Sequence, residues 1–238
     1  MTYDEAKEAF VKTVNDMSGK YPAVTIFSDF VEMAACSLHN AFRKREDLEK
    51  RYLDTAKKYS AEELNRLSSL LAYVVEGLED RFGDFLGECY ESLEITNGNL
   101  GQFFTPYCVA KLSAAVTITD DEVNQAKNGV IRINEPACGG GAMIVAALDV
   151  LKEKGVNFQK HAFVTAMDLD SRCVYMTYIT LTLLGCSAVV VLGNTLTLEV
   201  FDTFYTPFYY VNPSVADKAD QEIKEHKPIE QGVQLSLF

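Results

Sequence analysis

Tryptophan is absent from this chain of 238 residues, and histidine occurs at only three scattered positions. The six cysteines, Cys36, Cys89, Cys108, Cys138, Cys173 and Cys186, stand singly. With no C-x-x-C pair and no neighbouring histidines, the spacing supports no zinc site and no other metal centre. Single thiols of this kind fit a cytoplasmic setting better than a disulfide framework. No apolar run approaches the length of a membrane span. The opening MTYDEAKEAF has no basic stretch leading into an apolar one, so neither an anchor nor a secretory signal is expected. Basic residues are also scarce: 22 Lys and Arg stand against 34 Asp and Glu, a net charge of −12. A protein that grips duplex DNA alone draws its affinity from phosphate neutralisation, which this balance opposes. Only residues 43–58, RKREDLEKRYLDTAKK, are locally basic, and the interleaved acids make them read as a solvated helix face.

Apolar residues are plentiful at 48%, enough to bury a sizeable core. Over residues 1–95 they recur at helical spacing: Phe10, Val14 and Met17, then Phe27, Phe30, Val31, Ala34 and Leu38, then Leu64, Leu67, Leu71 and Val74. Ser60 and Glu63 fit a capping box. ITNGNLG, residues 95–101, is a polar break and marks a boundary. Beyond it, Thr105-Pro106 suits a helix start, with Thr105 as N-cap and Pro106 in the first turn, running to about Val116. Thr119 and Glu122 fit a second capping box. Residues 130–134, 161–167 and 187–192 read as strands, with helices at 142–153 and 171–184 between them. That alternation predicts an α/β fold: a helical N-terminal region, then parallel strands joined by right-handed crossovers. Residues 96–212 form the second unit, and residues 213–238 read as a mobile charged tail.

EPACGGGA, starting at Glu135, falls between a strand and a helix. Glycines there permit a tight turn and close approach of a ligand to the backbone. Asp168 follows the next strand, where an acid can accept hydrogen bonds from ribose hydroxyls. The pattern suits an adenosine-type ligand. It is neither a dinucleotide G-x-G-x-x-G nor a P-loop. Many glycine turns are purely structural, and Asp168 adds the functional signal.

GQFFTP at residues 101–106, followed by EPACGGG at 135–141, resembles the S-adenosylmethionine-dependent N6-adenine DNA methyltransferases, in particular the modification subunit of type I restriction-modification systems. The similarity spans roughly residues 60–210. It implies a partial Rossmann-like, class I methyltransferase sheet and an S-adenosylmethionine cofactor. On the resemblance, Gln102, Phe103, Phe104, Thr105 and Pro106 line the cofactor pocket. Glu135, Pro136, Ala137, Cys138 and Gly139 form the turn beneath the methionine, and Asp168 holds the ribose. Gly193-Asn194-Thr195-Leu196 matches a further family element in which Asn194 contacts the adenine, although alone it reads as an ordinary turn. Glu135 stands where the family usually has Asp, and Ala142-Met143 where Gly-Phe is common.

The family's catalytic signature is Asn-Pro-Pro-Phe or Asn-Pro-Pro-Tyr. Its amide and a carbonyl accept the adenine amine hydrogens while the aromatic ring stacks on the extruded base. This chain has no such motif. The nearest segment by position is Thr206-Pro207-Phe208-Tyr209, with threonine in place of the amide; Asn212-Pro213-Ser214 follows without the aromatic. Thr206→Asn tests that alignment, since gained activity would show that the site is in register. The sheet is expected to end near a fourth strand, leaving FDTFYTPFYYV at an edge that a second copy, a partner or the N-terminal helices would cover. The final Gln234-Leu235-Ser236-Leu237-Phe238 resembles the peptide by which bacterial proteins dock onto the replicative sliding clamp, or else it packs on its own domain. Clamp tethering would supply the DNA proximity that an acidic body lacks. Three functions follow: an adenine-specific DNA methyltransferase, a catalytically inactive clamp-tethered adaptor that keeps the cofactor, and a methyltransferase for another substrate.

Overall fold

The computed structural model describes residues 1–93, 104–213 and 215. The N-terminal helices are α1 (Tyr3–Met17), α2 (Ala23–Phe42), α3 (Glu46–Ala56), α4 (Ala61–Asp80) and α5 (Phe85–Ser92). Two of them open on capping boxes, at Thr2 with Glu5 and at Ser60 with Glu63, which satisfy N–H groups that a helix start leaves open. Their apolar faces meet around Phe10, whose ring packs edge-on against Phe30 at 5.3 Å and Phe85 at 6.1 Å.

Next come α6 (Tyr107–Thr117) and α7 (Asp120–Asn128). The expected Thr119–Glu122 box caps α7. At α6 the expected cap slips by one residue. Thr105 is exposed and makes no cap bond, and Pro106 is the N-cap with extended backbone. The Pro106 carbonyl accepts from Val109 N and Ala110 N, so the helix starts after the proline ring.

The α/β part follows as β1 (Ile131–Glu135), α8 (Ala142–Glu153), the short α9 (Phe158–His161), β2 (Ala162–Asp168), α10 (Ser171–Leu183), β3 (Ser187–Asn194), β4 (Glu199–Tyr205) and α11 (Pro207–Val211). The sheet order is β1-β2-β3-β4, with β1–β2 and β2–β3 parallel as expected. Ile133, Val164, Ala188 and their neighbours form one face and join the helices in a single hydrophobic cluster that extends from Tyr3 to Phe204. The other face carries a smaller cluster of Val130, Phe163 and Val215.

β4 runs antiparallel to β3, unlike the strands before it. Only Thr195 to Leu198 separate the two strands, whereas a parallel crossover needs a dozen or more residues. The turn takes Leu198 to φ 61° and leaves an irregularity between Leu192 and Gly193. The chain therefore doubles back along the outer edge of β3, away from β1. Among the described residues, β1 pairs on one side only.

The N-terminal helices cover the inner side of β4. Arg45 and Arg51 each reach an oxygen of Asp202, at 3.0 Å and 3.1 Å, so residues 43–58 are only in part a solvated face. Phe204 is fully buried against Tyr175, Tyr178 and His39. Outward, Val200 and Phe201 stay exposed. Among the described residues no helix is long and apolar enough to cross a membrane.

Candidate functional site

Parallel strands carry their loops at the carboxyl ends, and the ends of β1, β2 and β3 come together around the glycine turn. Cys138 N donates to Met167 O at 2.9 Å, which ties the turn to β2. Gly139 and Gly141 adopt φ +52° and +96°, a region that side chains with a Cβ avoid. Asp168 closes across the turn. One carboxylate oxygen accepts from Gly139 N and the other from Asp170 N, both at 2.9 Å. Each oxygen keeps a lone pair for a further donor. Thr177 on α10 donates to Gly139 O at 3.0 Å and Thr195 donates to Pro136 O at 2.6 Å, so the turn is fixed from both sides. Ala137 N donates to Glu135 Oε1 within the turn. Beyond it, the first N–H groups of α8 lie open, as at any helix start.

The two sequence motifs meet here. The Phe104 ring lies 3.5 Å from where a Cβ on Gly139 would stand, so a side chain at that glycine would press on the ring. Phe104 also packs edge-on against Tyr90 of α5 at 5.4 Å. Asn194 sits at the end of β3, and its carbonyl oxygen accepts from Leu196 N and Thr197 N, which shapes the following turn. Leu169 and Leu196 are exposed at this same end of the sheet. Burial pushes the Cys138 thiol up to about 12, so it stays protonated and serves as packing. Gln102, Phe103 and the clamp-like Gln234, Leu235, Ser236, Leu237 and Phe238 lie outside the described residues.

Thr206, Pro207, Phe208 and Tyr209, the segment aligned with the catalytic signature, lie away from the crevice. Because β4 is antiparallel, its end lies beside the start of β3. Thr206 sits beside Ala188, four residues down β3 from Leu192, the partner of Asp168. At strand rise that is about 13 Å along the sheet. Thr206 is fully buried; its hydroxyl donates to Cys186 O at 2.6 Å and accepts from Ala188 N at 3.0 Å. Both bonds are structural.

Sequence reasoning missed Asp84. It caps α5 by accepting from Gly87 N at 3.0 Å, and it is buried against the glycine turn. A Cβ on Gly140 would stand 2.8 Å from its carboxylate. The Gly83-Asp84 pair ahead of an apolar run was the available signal, an N-cap pattern. Burial raises the Asp84 carboxyl to about 7 from 3.8. A raised folded-state value means that stability is greatest below the unfolded value and is lost as pH rises through the folded one. Asp84→Asn keeps an acceptor for Gly87 N and removes the buried charge. Urea midpoints are expected to shift in favour of the variant by about 2–3 kcal/mol more near pH 8 than near pH 5. An equal difference at both would exclude the ionisation.

A glycine turn after β1, an acid at the end of β2 and an aromatic wall from the preceding motif sit on a methyltransferase-like α/β fold. The model of the N-6 DNA methylase family matches residues 81–233, from just ahead of Asp84 through the crevice. The chain belongs to the N-6 DNA methylase family, and its function is DNA methyltransferase-like. No curated protein matches it.

Proposed function

We propose that this protein binds S-adenosylmethionine in the crevice and acts in N6-methylation of adenine in DNA. The observation that carries the reading is the convergence of Asp168, the glycine turn and Phe104 at one end of the parallel strands. The donor set fits the cofactor. Asp168 retains acceptor capacity for two ribose hydroxyls, Phe104 offers an apolar wall, and Gly139 leaves room for close approach to the backbone. Asn194 keeps its amide N–H₂ for an adenine edge. Gln102, Phe103, Thr105 and Pro106 belong to the same pocket on this reading. Bound S-adenosylmethionine supplies an electrophilic methyl group on its sulfonium.

The acceptor amine needs a group to orient it, and buried, bonded Thr206 is not that group. Ligands of such sheets bind at a topological switch point, between strands leading in opposite directions. Here β1 is the sheet edge, flanked by an open groove of about 550 Å³ lined by β1, α6 and α8. We place the groups that orient the acceptor amine along this open edge of β1, on a strand from a partner chain. This position of Thr206 also favours the second reading, a cofactor-binding adaptor docked on the sliding clamp through Gln234–Phe238.

Titration calorimetry with S-adenosylmethionine is expected to give a single site. No heat at millimolar cofactor would sink the reading. Transfer from labelled cofactor to unmethylated DNA then separates the two functions: incorporation supports the enzyme, and binding without incorporation supports the adaptor or a missing strand.

A further inference from the structure

The outer edge of the sheet carries a second, chemically different cleft. It has a volume of about 560 Å³ and lies across β3 and β4 from Asp168. Its walls are His39 and Arg43 from the end of α2, Thr203 and Tyr205 from β4, and Tyr209 and Tyr210 from α11. Acids outnumber bases in this chain, yet Arg43 and Arg45 both line the cleft. Arg45 is committed to Asp47 and Asp202. Arg43 is exposed, forms no ion pair among the described residues, and lies over the Tyr210 ring at 5.1 Å.

Two further features make this more than a surface cation. The three tyrosines brace one another, with Tyr205 to Tyr209 at 4.8 Å, Tyr209 to Tyr210 at 5.1 Å and Tyr205 to Tyr210 at 6.0 Å. Phe42 stacks on Tyr210 at 5.7 Å and adds support. His39 is 4% exposed, and its Nδ1 has no hydrogen-bond partner although it lines the cleft. A buried polar atom without a partner is costly in a folded protein, and a small turn of the ring toward the cleft would bring it to a ligand atom. Burial and the neighbouring Arg45 hold the imidazole below its ordinary value, which favours the neutral form with one donor and one acceptor nitrogen.

We propose that this cleft binds a nucleotide unit of single-stranded DNA. The base stacks on Tyr205, the phosphate lies at Arg43, and His39 meets a polar edge. Aromatic rings bind any base through its face, and a guanidinium matches phosphate in planar geometry. A cation that forms no ion pair among the described residues, beside a braced aromatic surface, supplies both. The choice of DNA as the source rests on the methylase reading above, whereas the cleft itself does not.

Fluorescence anisotropy with labelled oligo(dT) of about 12 nucleotides at low salt tests this. Arg43→Glu and Tyr205→Ala are each expected to weaken binding by about tenfold or more, with Tyr205→Phe close to wild type. The same charge change on α1, Lys12→Glu, is expected to leave binding within about twofold. Circular dichroism melts confirm that each variant is folded. Asp168→Ala is expected to bind the oligonucleotide as wild type does, so loss of cofactor binding and loss of this cleft read out separately. The proposal is overturned if the wild type fails to bind, or if Arg43→Glu and Tyr205→Ala bind unchanged. It is also overturned if a duplex of equal length binds as tightly with the same sensitivity, because that pattern needs phosphate alone.

Discussion

Asp168→Ala is expected to weaken S-adenosylmethionine binding by roughly 100-fold or more. Hydrogen bonds to a charged acceptor contribute about 1.5–3 kcal/mol each, and the ribose offers two donors. The same carboxylate also accepts from Gly139 N and Asp170 N, so its loss loosens the turn on which the methionine end would lie. Asp168→Asn separates the two effects. It keeps one acceptor oxygen and the size of the side chain, and an intermediate affinity is expected. Titration calorimetry on the three proteins measures this directly. Equal affinities would remove Asp168 from the site and, with it, the assignment of the crevice to an adenosine ligand.

Thr206 gives the second large effect, and it is an effect on stability. Thr206→Val removes the hydroxyl and leaves Ala188 N and Cys186 O without their partner in a fully buried place. A loss of about 2–3 kcal/mol is expected, roughly 5–10 °C in Tm for a chain of this size. Thr206→Asn, the change that motif alignment suggests for restoring catalysis, is expected to destabilise by overpacking and to yield no methyl transfer. Thermal melts and a labelled-cofactor assay on purified variants decide between the two views. Methyl transfer gained by Thr206→Asn would show that the segment reaches the reacting atoms after all.

The parts of this protein legible in the sequence are those whose physics is local. The Ser60–Glu63 and Thr119–Glu122 boxes cap α4 and α7 because both partners lie within one turn. The alternation of strands and helices from residue 130 onward implied parallel pairing, and β1, β2 and β3 pair that way. Glycines between strand and helix implied a tight turn, and Gly139 and Gly141 take positive φ there. Even the start of α6 was displaced by only one residue, because proline limits where a helix can begin.

Partners far apart in sequence were not legible. The four-residue link after Asn194 turns β4 back on β3, and this sends Thr206 to the end of the sheet away from the glycine turn. A linear motif alignment cannot register such a reversal. Asp84 meets Gly140 only because α5 packs under the glycine turn. Arg43 and Tyr205 form one cleft only because α2 covers β4, pinned by Arg45 and Arg51 on Asp202. The sequence by itself determined the family, the helices with the caps at Ser60 and Thr119, and the residues of the glycine turn, because each depends on neighbours in the chain. The tertiary structure alone decided which edge of the sheet stays open, where the threonine segment lies and which cations meet aromatic rings, because direction and packing set those distances.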